Sequence, residues 1–330
     1  MTLTQATDSQ PHPTFLPKVS VIVPIYNGEA DLPNLIHCLF SQTYPKKQVE
    51  YLLVDNNSSD RTPEILQNAA QDAQSQGLQL YPLTEKHIQS SYAARNKAIQ
   101  ASTGEILAFT DADCRPIPEW LNLLVEPFVE PNIGLVVGEI AALPGQTWLE
   151  QHAERQVTLT QKYTLDHPFC PYGQTANLAI RRQALAEVGL FRPHLTTGGD
   201  ADICWRIQRQ TPWQLSFAEH AIVQHRHRAT LQEFRSQWQR YGRSNKYLHE
   251  LYGVELQPKL TARKSFYLMS RWFLKELPIA SINAIAGKSS FVALLSTPIN
   301  LYGSWARNLG QQQTQLPEQA KEIEQLQNQN

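Results

Sequence analysis

Over the first 140 residues, short β-branched and aliphatic runs alternate with stretches whose apolar residues recur at helical spacing. VSVIVPIY (19–26) has the composition of a buried strand and is stopped by Asn27 and Gly28. Leu32, Leu35, Ile36, Leu39 and Phe40 then follow a helical period. VEYLLVD (49–55) repeats the strand pattern and closes in the polar turn NNSSD. Thr62-Pro63-Glu64 predicts a helix start, a capping hydroxyl before proline, and Gly77 predicts its stop. LQLYPL (78–83), a helix over 91–102, a strand over 105–110 and IGLVVGEI (133–140) continue the alternation. Such an order predicts a Rossmann-like α/β fold, a mixed and mainly parallel sheet flanked by helices. Ligands then bind beyond the carboxyl ends of the strands. No GxGxxG follows the first strand, which disfavours a dinucleotide-dependent dehydrogenase.

The stretch with the most chemistry is EILAFTDAD (105–113), an apolar run ending in Asp111 and Asp113. Carboxylates at a strand's carboxyl end suit a divalent cation that carries a diphosphate. Alternation along an extended chain would aim both the same way. A solvated turn is the competing reading of this triplet alone. With 330 residues and a net charge of −1, the chain has room for one large domain plus an accessory region, and nucleic acid is not an expected partner. Cys38, Cys114, Cys170 and Cys204 form no CxxC pair, as fits reduced thiols in a cytoplasmic protein. Residues 1–17 lack a secretory pattern and read as a flexible lead-in.

Seven pieces now stand in order: VSVIVPIYNGEADL (19–32), YLLVDNNSSDRT (51–62), AARNKAI (93–99), GEILAFTDADC (104–114), NLAIRR to VGLF (177–191), GGDADICWRI (198–207) and VQHRHR (223–228). Together they resemble the family 2 glycosyltransferases, nucleotide-sugar-dependent enzymes of the GT-A fold. The resemblance covers residues 18–228, divided into a nucleotide-binding half (18–115) and an acceptor half (116–228). It implies a nucleotide pocket walled by Pro24, Tyr26, Asn27 and Glu29, with Asp55 on the uracil edge and Arg95, Asp111 and Ala112 near the nucleotide. A turn cap is the alternative for Asp55, a core tyrosine for Tyr26, and a surface ion-pair partner for Arg95. Asp113 and His225 are implied as ligands of Mn²⁺ or Mg²⁺, although His227 shares the same strand face. Asp200 is the implied base, in GGDAD where relatives commonly have Gly-Glu-Asp, so Gly199 replaces a glutamate. Asp202 and Trp205 are the acceptor-side candidates, Asp202 also being expected to cap the following helix and Trp205 to stack on the acceptor or be buried.

Residues 229–310 hold eleven Lys and Arg against four Glu, a net +7 that leaves −8 elsewhere and marks a boundary near residue 228. Leu231, Phe234, Trp238, Tyr241, Leu248 and Tyr252 share a helical face there. The charge-free stretch 289–306 is diluted by Pro298, Asn300 and Gly303, so no transmembrane span is expected. The basic helical region (229–310) either lies on an anionic membrane surface or forms a flap on the catalytic domain. Residues 311–330, rich in Gln, predict a frayed helix or disordered tail with Leu316, Ile323 and Leu326 as its large apolar residues. The leading function is metal-dependent, inverting transfer from a nucleotide sugar, UDP-linked, to a sugar or lipid-linked acceptor in polysaccharide or glycolipid synthesis. The location implied is cytoplasmic, with peripheral membrane attachment open. A nucleotidyltransferase and a non-catalytic scaffold of the same fold are the alternatives. A processive synthase is disfavoured, since the Arg271-Trp272 pair has Leu268 where QxxRW requires glutamine.

Overall fold

The computed structural model describes residues 15–286 and 290–327. β1 (Val19–Ile25) and β2 (Val49–Asp55) are buried along their whole length, as parallel strands covered on both faces must be. Between them α1 (Leu32–Phe40) turns Leu32, Leu35 and Leu39 inward. α2 (Thr62–Ser75), β3 (Gln79–Thr84), α3 (Ser91–Ala101) and β4 (Ile106–Phe109) complete a parallel unit in the order β3-β2-β1-β4. Ile25 lies opposite Asp55 and Ile22 opposite Phe109, so three strands deliver their carboxyl ends to one edge. Thr62 does not cap α2. Its hydroxyl instead accepts the Gly28 N–H at 2.8 Å, joining the loops that follow β1 and β2.

Beyond β4 come β5 (Cys114–Pro116), α4 (Trp120–Val125), β6 (Ile133–Ala142), α5 (Trp148–Arg155), α6 (Lys162–Leu165) and β7 (Leu178–Arg181). α7 (Arg182–Val188), α8 (Gly199–Gln210) and β8 (Gln214–His225) follow. The eight strands form one sheet, β3-β2-β1-β4-β7-β6-β8-β5. β7 is antiparallel to β4 and β6, and β5 to β8, so the mixed sheet is parallel at four of its seven pairings. Successive side chains feed opposite faces. Leu53 joins a cluster with Leu35, Leu66 and Trp120, while Leu52 joins one with Phe109, Ile180 and Phe191.

α9 (Leu231–Tyr252) starts at a capping box made by Thr230 and Glu233, beside the boundary that the charge shift marks. α10 (Ala262–Arg271), a π-helical turn (Trp272–Glu276), α11 (Leu277–Ile285) and α12 (Ser296–Gln312) follow. α12 lies backbone to backbone on α9, because a Cβ at Gly242 would strike the Arg307 carbonyl and one at Gly310 the Gln239 carbonyl. Phe234 and Leu248 turn inward as their spacing predicts, but Leu231 is 49% exposed at the first turn. Among the described residues no helix is long and apolar enough to cross a membrane.

Residues 313–327 are neither a frayed helix nor a loose tail. Leu316 N–H donates to the Glu250 carboxylate at 2.9 Å, Ala320 is wholly buried, and Leu190 N–H donates to the Glu324 carbonyl at 2.8 Å. The Arg192 guanidinium donates to the Lys321 carbonyl, and Ile323 covers Gly189. The few apolar residues of this Gln-rich segment are its anchors.

Candidate active site

A cavity of about 900 Å³ opens at the carboxyl ends of β1 and β4, between the catalytic sheet and α9. The Cys114 N–H donates to the Asp111 carbonyl at 3.1 Å and closes a turn just after β4. Asp111 and Asp113 therefore reach the cavity because the chain turns, not because an extended strand alternates. Ala112, between them, also lines it. Pairing of Cys114 with His225 across β5 and β8 carries the histidine to Asp113, with Nε2 3.3 Å from Oδ1. The Arg228 guanidinium stands 3.4 Å from the other carboxylate oxygen. Burial works against ionisation of Asp113, yet His225 and Arg228 outweigh it and hold the carboxyl below its ordinary range.

The His225 Nδ1 sits 2.7 Å from the Arg226 carbonyl, which can only accept. Nδ1 thus carries a proton, leaving Nε2 to face the Asp113 carboxylate, as a donor when protonated and as a lone pair when not. Two acceptors at that distance call for a proton or a cation, and an oxygen-plus-imidazole donor set fits Mn²⁺, with Mg²⁺ less natural. Cys114 Sγ lies within 4.8 Å of both groups. Burial first, then Asp113 and Asp111, push its thiol well up, and a soft sulfur suits Mn²⁺ or Mg²⁺ less well than oxygen does. His227 stands outside this cluster and outside the cavity lining, which separates two histidines the sequence left equivalent.

Arg95 is no surface residue. It is 3% exposed on α3, its Nη2 lies 2.7 Å from Asp111 Oδ1, and its Nε has no hydrogen-bond partner. Gly198, also in the cavity lining, takes a left-handed φ of 82° as it starts α8, and Asp200 stands in that helix's first turn. Thr175 donates its hydroxyl to Asp200 Oδ1 at 2.9 Å. Burial raises the Asp200 carboxyl above its ordinary range, with Arg95 opposing and Asp111 adding to the rise. Gly199 is held in place. Its N–H donates to the Tyr92 hydroxyl at 2.9 Å, and a Cβ there would stand 2.7 Å from the ring.

Pro24 and Tyr26 line the cavity, and Tyr26 at 59% exposure is not a core residue. Asn27, also lining it, holds a φ of 49° and accepts the Ser59 N–H at 2.9 Å. Glu29 does not line the cavity, because its carboxylate accepts the Arg61 N–H at 3.2 Å. Asp55 lies behind Asn56, and its Oδ1 accepts the Ser58 N–H at 3.0 Å in the turn-capping arrangement. The two residues expected to meet the acceptor are both buried. Asp202 is not a helix cap, since Gly198 holds that position. Its carboxylate binds Arg206 at 2.9 Å, Arg192 at 2.8 Å and the Tyr252 hydroxyl at 2.5 Å. Trp205 donates Nε1–H to the Cys170 carbonyl at 2.8 Å and packs among Phe169, Tyr172 and Tyr252.

A family model described as "Glycosyl transferase family 2" matches residues 20–189, just over half of the chain. The chain belongs to the family 2 glycosyltransferases. A second model, "Glycosyl transferase family group 2", matches residues 106–306. Glycosyltransferase AglE of Haloferax volcanii is 35% identical over 215 residues, 64% of this chain and 67% of that protein. A beta-monoglucosyldiacylglycerol synthase of Trichormus variabilis is 28% identical over 282 residues, 81% of this chain and 58% of the synthase. The chain thus spans roughly half to two thirds of the curated relatives it matches. Among solved structures, the mannosyltransferase PcManGT from Pyrobaculum calidifontis, in complex with GDP-Man and Mn²⁺, shares the fold at a TM-score of 0.61 and 20% identity, covering 92% of this chain and 90% of that one.

This glycosyltransferase carries cavity residues that its sequence did not reveal. Asp31 bridges Arg115 at 3.0 Å and Arg226 at 2.6 Å, fixing the chain after β8 to the loop before α1. Arg226 and Arg228 were visible in HRHR, where the histidines drew the chemical reading. Arg240 and Arg307 reach the cavity from α9 and α12, and no local pattern could place them there.

Proposed function

We propose that the chain is an inverting glycosyltransferase that moves a sugar from a UDP-linked donor to a hydroxyl of a sugar or lipid-linked acceptor, with a divalent cation at Asp113 and His225. The observation that carries this reading is the pairing of two unlike carboxylate environments across one cavity. The Asp113 carboxyl, beside the His225 imidazole and the Arg228 guanidinium, is held low, whereas the Asp200 carboxyl in the same cavity is raised by burial. A raised carboxyl suits a general base working near neutral pH. The cation, when bound, neutralises charge on the diphosphate oxygens. Asp200 takes the proton of the acceptor hydroxyl as its oxygen attacks the anomeric carbon from the face opposite the diphosphate. The bond to the diphosphate breaks in the same displacement, so configuration inverts. Arg95 and Arg228 orient the carboxylates they contact and add positive charge beside the departing group.

The choice of uracil rests on the resemblance at Asp55, whose Oδ1 is taken by the Ser58 N–H, and the neighbouring fold with GDP-Man makes guanine the base to test against it. The beta-monoglucosyldiacylglycerol synthase resemblance, with the exposed apolar residues of α10 and α11, supports a lipid-type acceptor and peripheral attachment to a membrane. The test is a thermal-shift panel of UDP, GDP and their sugars, each with and without Mn²⁺. A nucleotide at about a hundred times its dissociation constant adds roughly 2.7 kcal/mol of stability. Asp113→Asn is expected to lose the metal-dependent shift. Asp200→Asn is expected to keep the shift and lose transfer. Near-normal turnover by Asp200→Asn would remove the base from this mechanism, and no shift with any nucleotide would favour a non-catalytic scaffold.

A further inference from the structure

A second cavity, of about 300 Å³, opens between α10 and α12. Lys259, Lys264, Arg271 and Arg307 line it, together with Leu260, Leu268 and Leu301. No aspartate or glutamate belongs to that lining. Arg271 is neutralised by Glu276, 2.7 Å from its Nε. Among the described residues no carboxylate pairs with Lys259, Lys264 or Arg307, so three like charges share one apolar-floored recess. Such an arrangement is self-repelling until an anion enters.

Two polar atoms sharpen the chemistry. Asn308 lines the cavity, is 8% exposed and has no partner for Oδ1, which asks for a donor. Arg307 Nε is likewise buried and unpartnered, which asks for an acceptor. A phosphodiester answers the arginine through its phosphate oxygens and the asparagine only if its headgroup carries a hydroxyl; free phosphate could answer both through its own P–OH and is therefore the control. Arg307 also lines the catalytic cavity, so the two spaces share a wall.

The surroundings select the source of that phosphate. On α10 Phe266 is 76% exposed and Tyr267 62%, and on the π-helical turn that follows it Phe273 is 64% and Leu274 75%. Arg263 and Lys275 stand among them. Exposed aromatic and aliphatic side chains interleaved with cations complement an anionic bilayer, whose headgroups attract lysines while its acyl boundary takes the rings.

We propose that the cavity between α10 and α12 binds the headgroup of an anionic, hydroxyl-bearing phospholipid of the phosphatidylglycerol class, seating the catalytic cavity against a membrane. The proposal deepens the peripheral attachment given above, and its test involves no sugar transfer, so either reading can fail alone. The experiment is flotation of the full chain with phosphatidylcholine vesicles, with and without phosphatidylglycerol, and a thermal-shift titration with inorganic phosphate and glycerol phosphate. Binding is expected only to vesicles containing phosphatidylglycerol. Lys259→Ala/Lys264→Ala is expected to weaken it about 30-fold, each surface lysine being worth about fivefold. Both lysines are exposed, so the variant should fold, and its melting temperature checks this. Phe266→Ser/Leu274→Ser should weaken binding with the cavity intact. Equal binding to neutral vesicles, or an undiminished lysine variant, would overturn the proposal. So would a strong shift with free phosphate and no vesicle binding, which would make the cavity a soluble-anion site.

Discussion

Gly199 stands where the resemblance implies a glutamate, and the ring of Tyr92 occupies the space that side chain would need. Placing a glutamate there should therefore overpack the site at a cost of about 1–3 kcal/mol. A double-mutant cycle with Tyr92→Ala, read by urea denaturation, should show the two substitutions partly cancelling. Simple additivity would mean that the ring is not the obstacle. Asp202 illustrates the same point from the opposite side. Two arginines and a tyrosine converge on a carboxylate with no solvent exposure. Asp202→Asn strands their charge, and a loss of about 3–5 kcal/mol is expected in the same assay. A loss below about 1 kcal/mol would place Asp202 nearer to solvent than its partners indicate. Arg206 stands one helical turn from Asp202 in the same motif, but Arg192, Tyr252 and the Tyr92 ring come from elsewhere in the chain, which is why the motif alone suggested a cap.

Among the elements, α5 and α12 are joined by His152 Nε2 and Asn300 Oδ1 at 3.1 Å. Burial lowers the His152 pKa, with Asn300 opposing and Arg155 adding to the fall. Below the ordinary histidine value of about 6.5 the unfolded chain then binds a proton that the folded chain refuses. Stability contributed by the neutral ring is complete above that value and declines as pH falls toward the lowered one. Denaturation midpoints measured from about pH 7.5 down to about 5.5 should drop for the native chain and less steeply for His152→Gln. Parallel slopes would show that another group sets the acid limit. The β-branched runs made the strands of the parallel unit legible, because a strand buried on both faces leaves a continuous apolar run. The reversal at β7 was not legible, since direction depends on how the segment between β6 and β7 crosses the sheet and leaves no local mark.

For the whole molecule, the carboxyl-terminal strap links regions far apart in sequence. Leu316 and Ala320 enter the core shared by Phe109 and Phe191, Glu324 accepts from Asn96 at 3.2 Å, and the Lys321 carbonyl takes the arginine that also binds Asp202. Removing residues 313–330 should cost at least about 1.5–3 kcal/mol, the worth of one buried leucine. Chemical denaturation of the truncated chain checks it, and an unchanged midpoint would show the strap to be dispensable.

What the sequence determined by itself were the features that depend on near neighbours: the strand and helix alternation, the carboxylates after β4, the aspartates at the start of α8, and the charge step before α9. Each is written in composition and spacing, which act over a few residues. Only the tertiary structure decided which histidine meets Asp113, because that follows from the register of β5 against β8. It also decided that Arg95 is buried against Asp111 and that Trp205 is enclosed. The Gln-rich end, poor in apolar residues, is held because its few anchors meet a surface built by α3, α7 and α9. Long-range contacts supply partners and burial, and those quantities turn a list of residues into a site.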